Sequence, residues 1–435
     1  FLNLCYNNYL KGRNSMKFYV CNLGCKVNTY ESNIMTESLI RNGLILTEPE
    51  NADIVIVNTC SVTDVALKKS LKMIRRFKDK IVAVVGCTSQ IRPDLVKDMD
   101  NVKIVLGNAN KSKIYDYIKE YLENQIQIID IKELNNIPFE NMMLENFDQT
   151  RAFVKVEDGC ENFCSYCIIP YTRGSVRSRD IASILEEVKH LVNNGHKEIV
   201  LTGIHTGHYN CAGKRLAYLL DLICDIKEVE RVRISSIEIT ELDDEFLEVL
   251  KNNPKIVNHI HIPLQTGCDK VLKDMNRKYD MAYFYDKIKT IKQIRPNMNI
   301  TTDVIVGFPT ETEEDFKETL ENIKKLAFGK VHVFPYSKRE GTPSAELKDL
   351  SPEIKKQRAH TLLELSKELE QNFLDKHIGK EARFLPEVFK DNYLVGHTDD
   401  YVLVKCKGSS SNLHKIIKTK ITSTKYPYCI GEDYE

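Results

Sequence analysis

The sequence predicts an α/β protein in three parts: a domain built on a parallel sheet, a partial and open (β/α)6 barrel, and a small β-barrel at the carboxyl end. Three observations predict it. Short, nearly continuous apolar runs alternate with amphipathic stretches from Met16 to about residue 335, the pattern of parallel strands joined by helices. Weak periodicity with Asn-rich turns interrupts the alternation before residue 150. Beyond Gly379 the pattern turns to short β runs separated by turn residues.

The 435 residues allow two to three domains, each with its own core. Lys plus Arg equals Asp plus Glu at 62 each, so no overall field draws the chain to nucleic acid or membrane, and a polyanion must be met by local patches. No apolar run approaches the roughly 18 residues of a membrane span. Thirteen cysteines, an odd number scattered through helix and strand patterns, argue against a disulfide framework and for a reducing cytoplasm. Residues 1–15 lack the apolar core of a signal peptide and read as an extension ahead of Met16.

In the first domain, expected over residues 16–125, strand-like runs at 17–20, 54–57, 81–85 and 102–106 make a Rossmann- or flavodoxin-like parallel sheet. Ligands of such sheets gather beyond the carboxyl ends of the strands. Three of these ends carry a cysteine, at Cys25, Cys60 and Cys87. One cysteine after a buried strand is ordinarily inert packing, as expected of Cys21. Three at one sheet edge point to a second three-cysteine cluster. The helix after Cys60 carries Lys68, Lys69, Lys72, Arg75 and Arg76, either a solvated face or a phosphate-contact surface.

A linker is expected at 126–147 and a second domain at 148–375, ending in a long connecting helix with Ser351 as N-cap and Pro352 in its first position. Its six runs at 152–156, 198–201, 231–235, 259–264, 299–306 and 330–334 fall short of the eight of a closed TIM barrel, hence the partial one. Helices are expected at 180–193, 217–229, 243–252, 269–294 and 311–327. The strand ends offer Gly203, Ser235, Glu238, Gln265 and Gly307, where glycine permits close backbone approach and the polar side chains can bond a ribose or amino-acid group. Arg173, Arg177 and Arg179 suit anionic groups. No catalytic acid or base stands out.

After the first run comes Gly159-Cys160-Glu161-Asn162-Phe163-Cys164-Ser165-Tyr166-Cys167. Three thiolates at spacings of four and three suit an iron–sulfur cube with one iron lacking a protein ligand, and the spacing differs from the CxxCxxC run of ferredoxins. A structural zinc is the competing reading, but Cys211 and His190, His196, His205 and His208 stand at no zinc-finger spacing. The last part, residues 376–435, holds β runs at 382–385, 401–406 and 415–422, as in a small OB-like barrel. Between Tyr401 and Gly431 lie six lysines and no acid, with Tyr401, Tyr426 and Tyr428 interleaved, a reasonable RNA-binding or solubilising face.

CxxxCxxC at Cys160, Cys164 and Cys167 resembles the radical S-adenosylmethionine (radical SAM) signature. Asn22-Leu23-Gly24-Cys25, Asn58-Thr59-Cys60 and Gly86-Cys87 resemble the amino-terminal domain of the methylthiotransferases, and the final segment resembles a TRAM domain. Ile204-His205-Thr206-Gly207, Ser235-Ser236-Ile237-Glu238 and the stretch from His332 to Pro343 are most similar to the branch acting on threonylcarbamoyladenosine in tRNA. The resemblance implies two 4Fe–4S clusters, one at each cysteine trio, and S-adenosyl-L-methionine as source of a 5′-deoxyadenosyl radical and of methyl. It further implies methylthiolation at carbon 2 of the modified adenosine beside the anticodon, a flavodoxin- or ferredoxin-type electron donor, a sulfur source and no membrane partner. Rival readings keep the chemistry on isopentenyl-adenosine in tRNA or on a ribosomal-protein aspartate, or make the chain a non-catalytic iron–sulfur RNA-binding protein.

Overall fold

The computed structural model describes residues 16–61 and 64–433. The expected extension at 1–15 and the last two residues lie outside them. Two compact units are present. One comprises the described chain to Leu144 with Asp158–Asn162 and Cys167–Arg179; the other comprises Glu145–Glu157, Phe163–Tyr166 and everything from Asp180 onward.

The first unit is a six-stranded sheet in the order Ile45–Leu46, Lys17–Asn22, Ile54–Thr59, Ile81–Gly86, Val102–Leu106, Ile128–Asp130, each neighbouring pair parallel. Alternate residues of one strand feed two cores. Ile54 and Ile56 pack with Phe18, Met35 and Ile104, while Val55 and Val57 pack with Ile74, Phe77 and Val105. A strand buried on both faces needs no polar alternation, which is why these runs are so evenly apolar. Cys21 packs in the second core, and burial pushes its thiol up to about 11.

In the second unit the six expected strands form two parallel groups. Arg231–Ile234, Glu198–Thr202 and Arg151–Lys155 make one, and His259–His261, Asn299–Val306 and Lys330–Pro335 the other. A single bridge from Val232 to Ile256 is the ladder contact that leads from one group towards the other. Asp180, Asp243, Asp280, Thr312 and Ser351 cap the helices that follow them, each side chain accepting an N–H of the first turn. One expectation is corrected. Residues 269–294 are not one helix but two, Asp269–Asp274 and Met281–Ile294, because Asn276 takes a left-handed φ of 57° and Asp280 restarts the chain as an N-cap.

The helix Pro352–Asp375 leads to a closed five-stranded barrel ordered Glu381–Lys390, Tyr393–Thr398, Leu403–Lys407, Tyr428–Gly431, Ile417–Lys425. Phe384, Leu394, Val404, Cys406, Ile421 and Cys429 fill it. Among the described residues no helix is long and apolar enough to cross a membrane.

Candidate active site

Cys25 precedes the helix Lys26–Arg41, Cys60 follows Ile54–Thr59, and Cys87 opens the helix Cys87–Ile91, so three neighbouring parallel strands each deliver a thiol beyond the same sheet edge. The loops are tied to one another. The Asn28 amide donates to Asn58 Oδ1 and to the Thr59 carbonyl, both at 3.0 Å, and the Cys25 thiol lies 3.4 Å from Asn28 Oδ1. The Thr88 N–H donates to Thr59 Oγ1 at 3.1 Å, and Thr88 Oγ1 to the Cys60 carbonyl at 3.2 Å. Gly86, at φ 102°, leaves no room for a side chain: a Cβ would stand 2.8 Å from the Thr59 carbonyl.

A buried ion network adjoins these thiols. Arg173 NH1 bonds Glu31 Oε1 at 2.6 Å and reaches Asp158 at 3.4 Å, and Arg173 NH2 reaches Asn28 Oδ1 at 3.3 Å. Lys111 pairs with the other oxygen of Glu31 and donates to Asn108 Oδ1 at 2.9 Å; the Asn108 amide lies 3.6 Å from Cys87 Sγ. Cys25 keeps some solvent contact, yet the protein packed around its sulfur raises its thiol pKa, and Arg173 pulls it back down. Burial lowers the pKa of Lys111 against the pull of Glu31.

This corrects the reading of Arg173, Arg177 and Arg179 as open anion-binding groups. All three are buried: Arg173 on Glu31, Arg177 on Asp158 and the Leu134 carbonyl, Arg179 on the Tyr30 hydroxyl. Glu31, Asn108 and Lys111 were not anticipated. Lys111 has a legible signal, since it stands past the end of Val102–Leu106 as the cysteines stand past theirs.

In the second unit, the middle of the cysteine loop is clamped by the helix break. Ser165 N–H donates to the Met275 carbonyl at 3.0 Å and Ser165 Oγ to the Asp274 carbonyl at 2.8 Å, while the Asn276 amide donates to the Phe163 carbonyl at 3.0 Å. Tyr166 packs against Cys268, Met275, Phe308 and Tyr336. The break also supplies Arg277, whose NH1 lies 3.2 Å from Cys164 Sγ and whose NH2 pairs with Glu238. Burial works against the Arg277 charge, but Tyr166 and Glu238 hold its pKa well above the ordinary range. Sequence reasoning missed Arg277 because it lay inside an expected helix; Asn276 and Asp280 mark the turn.

The five expected pocket residues all lie at strand ends of this unit. Gly203 gives room to Glu157, whose Oε2 would stand 2.6 Å from an added Cβ, and Gly307, at φ 72°, donates its N–H to Glu311 at 2.6 Å. The Ser235 hydroxyl donates to the Leu201 carbonyl at 2.7 Å. Gln265 holds a left-handed φ of 69°, uncommon for a residue with a side chain, between backbone bonds to Asp303 and Ile305 of 2.8 Å each.

Residues 154–323 match the radical SAM superfamily, and residues 17–107 match a family described as uncharacterized protein family UPF0004. A relative from Bacillus subtilis (strain 168), threonylcarbamoyladenosine tRNA methylthiotransferase MtaB, is 41% identical over 94% of each chain. The chain belongs to the radical SAM methylthiotransferase family. A tRNA-2-methylthio-N(6)-dimethylallyladenosine synthase from Oceanobacillus iheyensis is 35% identical to this methylthiotransferase over 94% of the chain and 82% of the relative. Among solved structures, the radical SAM methyltransferase TsrM from Kitasatospora setae superposes with a TM-score of 0.56 at 13% identity, covering 76% of this chain and 74% of the other, and shows the shared fold.

The methylthiotransferase family uses S-adenosylmethionine and 4Fe–4S clusters. The residues present fit such groups. None of the six cysteines forms a disulfide, and the cationic Lys111 and Arg173 beside Cys25 and Cys87 are what an anionic, thiolate-held cluster needs around it.

Proposed function

We propose that this enzyme is a tRNA methylthiotransferase that places a methylthio group on carbon 2 of N6-threonylcarbamoyladenosine beside the anticodon. The observation that carries the reading is the presence in one chain of two distinct cysteine trios, one at three parallel strand ends and one on the CxxxCxxC loop. The similarity to relatives named for this reaction supports it.

Cys160, Cys164 and Cys167 hold the cluster that binds S-adenosylmethionine, and Cys25, Cys60 and Cys87 hold the second. When bound, these groups supply the one-electron chemistry, the sulfur site and the methyl group that substitution at an aromatic carbon requires. The protein's part is orientation. Arg277, anchored by Glu238, bonds the Cys164 sulfur, and Arg173 and Lys111 offset the negative charge of the thiolates. Gly203, Ser235, Glu238, Gln265 and Gly307 outline the S-adenosylmethionine pocket.

The division of labour follows the expected domains: 16–125, joined by the edge strand Ile128–Asp130, for the second cluster, the rest of 126–147 as linker, 148–375 for the radical core with its connecting helix, and 376–435 for RNA. Exposed Lys407, Lys415, Lys418, Lys420 and Lys425 on the barrel give the tRNA backbone a basic face, and exposed Lys68, Lys69, Lys72 and Arg75 offer a second. A flavodoxin- or ferredoxin-type protein supplies electrons, and the second cluster holds or donates the sulfur.

Nucleoside mass spectrometry of tRNA from cells with and without the gene tests the assignment. The methylthio mark on threonylcarbamoyladenosine disappears on deletion; loss of the mark from dimethylallyladenosine instead would move the substrate to the second branch.

A further inference from the structure

We propose that His205, His208 and Glu241 form a site for a divalent transition metal of the zinc or ferrous class, separate from the six cluster cysteines. The turn after Glu198–Thr202 carries both imidazoles, and the turn after Arg231–Ile234 carries the carboxylate. Nε2 of both rings is directed at the same oxygen: His205 Nε2 contacts Glu241 Oε1, and His208 Nε2 lies 3.3 Å from it. One ligand atom from each residue falls within 4.8 Å of the other two. Ligands about 2.0–2.1 Å from a tetrahedral metal stand roughly 3.3 Å apart, so the His208 to Glu241 separation is already that of a coordination edge, whereas His205 Nε2 and Glu241 Oε1 touch directly and must part to admit the ion between them.

The surroundings orient the donors as a metal site requires. The Glu238 N–H donates to Glu241 Oε2 at 3.2 Å, holding that oxygen aside and leaving Oε1 for the imidazoles. Gly207 stands between the two histidines where a Cβ would lie 1.8 Å from Glu241 Oε2, so only glycine admits the carboxylate. The backbone N–H of His205 donates to Glu157 Oε2 at 2.6 Å, which fixes the start of the turn. His205 and Glu241 are nearly inaccessible at 5% and 6%, whereas His208 retains 35% and provides the entry path. Two imidazoles and one carboxylate leave further coordination positions open, the arrangement of catalytic zinc and of non-haem ferrous sites. The same Glu238 also pairs with Arg277, so the metal would stand one backbone hydrogen bond away from the group that holds Cys164.

The test is metal analysis of the anaerobically purified holoenzyme with both clusters in place, after equilibrium dialysis against zinc(II) in one arm and iron(II) in the other. The expected result is about one metal per chain beyond the cluster iron, with X-ray absorption at the zinc edge showing nitrogen and oxygen ligands alone. His208→Ala and Glu241→Gln, each checked for unchanged cluster content and helicity, should weaken that binding by about 100-fold or more. His208 is half-exposed, so its replacement leaves the fold intact even if Glu241→Gln does not. Three outcomes overturn the site: no metal beyond cluster iron in either arm, sulfur ligands at the zinc edge, or wild-type binding in the folded His208→Ala protein. In the second case the bound metal belongs to the cysteines, in the third it lies outside this trio, and in the first the three side chains form only a hydrogen-bonded cluster.

Discussion

Each unit buries a network of arginines and carboxylates, and the two networks differ in their balance. Around Glu198 in the second unit, the buried Arg231 and Arg233 and the part-buried Arg151 face three carboxylates, Glu198, Glu387 and Asp399, at 2.5–3.4 Å, and the fourth cation, Arg383 on Asp399, stands at the exposed rim, where solvent screens its charge. Around Glu31 in the first unit, among the described residues, Lys111, Arg173 and Arg177 face Glu31 and Asp158. Three cations against two carboxylates leave one positive charge, and it adjoins Cys25 and Cys87. A buried network that closes on itself holds strands together. One that remains positive awaits an anion, and three thiolates carrying a cluster supply it.

Removing the anion should have the largest effect. In the Cys25→Ala, Cys60→Ala, Cys87→Ala protein, iron and sulfide after anaerobic reconstitution should fall to one cluster per chain. S-adenosylmethionine cleavage should continue while methylthiolated nucleoside disappears. If both clusters vanish from a folded protein, the two trios are not independent sites and the contrast fails at its root.

Next come the cations. Arg173→Met and Arg233→Met each leave a buried carboxylate short of a partner, a loss of about 3–5 kcal/mol, read from the denaturant unfolding of the apoprotein. Only Arg173→Met should also lower iron incorporation, by one cluster. Full iron in that variant would mean that the surplus charge serves stability alone.

Acid sharpens the difference further. Arg233 and Arg231 outweigh the burial cost at Glu198 and hold its pKa down to about 2, against 4.5 for an ordinary glutamate. A carboxylate depressed in the folded state contributes stability that is complete above the unfolded value and is lost as pH falls from there through about 2. A shift of that size is worth on the order of 3 kcal/mol. Glu198→Gln should therefore flatten the decline in the apoprotein's unfolding midpoint between those two pH values. An unchanged acid limb would show that another carboxylate governs it.

The parts of this architecture that were legible in sequence are those where one physical demand acts alone. Ile54–Thr59 is buried on both faces, so its run is apolar throughout, and Cys60 follows it in plain sight. Ile45–Leu46 and Ile128–Asp130 were missed because they are short edge strands with exposed or half-exposed residues and carry no such run. Glu31 was legible in principle: Val27, Tyr30, Ile34 and Met35 form the buried stripe of their helix, and Glu31 lies on it, a charge where only a paired one can stand. Its partners Lys111 and Arg173 are 80 and 142 residues away in sequence, and spacing does not reveal such pairs. Tyr401 was misread for the same reason. Its place among basic residues suggested an RNA face, but its ring lies inside the second unit between His259 and His397, with Arg233 at 4.6 Å and Arg151 at 5.2 Å.

That ring gives the smallest and most discriminating prediction. Tyr401 sits at φ 65° in a turn closed by the Val402 N–H donating to Thr398 Oγ1 at 2.8 Å, and its hydroxyl accepts from Arg151 NH1 at 3.1 Å. It therefore packs the balanced network rather than facing solvent. Tyr401→Leu removes two cation–π contacts and one hydrogen bond, at about 1–2 kcal/mol, and should lower the unfolding midpoint while leaving tRNA affinity and its salt dependence as they were. A Lys415→Ala, Lys418→Ala, Lys420→Ala protein should do the reverse, keeping stability and reducing both the affinity and the steepness of its fall with salt, since those side chains are exposed on the barrel. If Tyr401→Leu instead weakened tRNA binding at unchanged stability, the ring would have to leave its cage to meet RNA, and the balanced network would be a hinge rather than a weld.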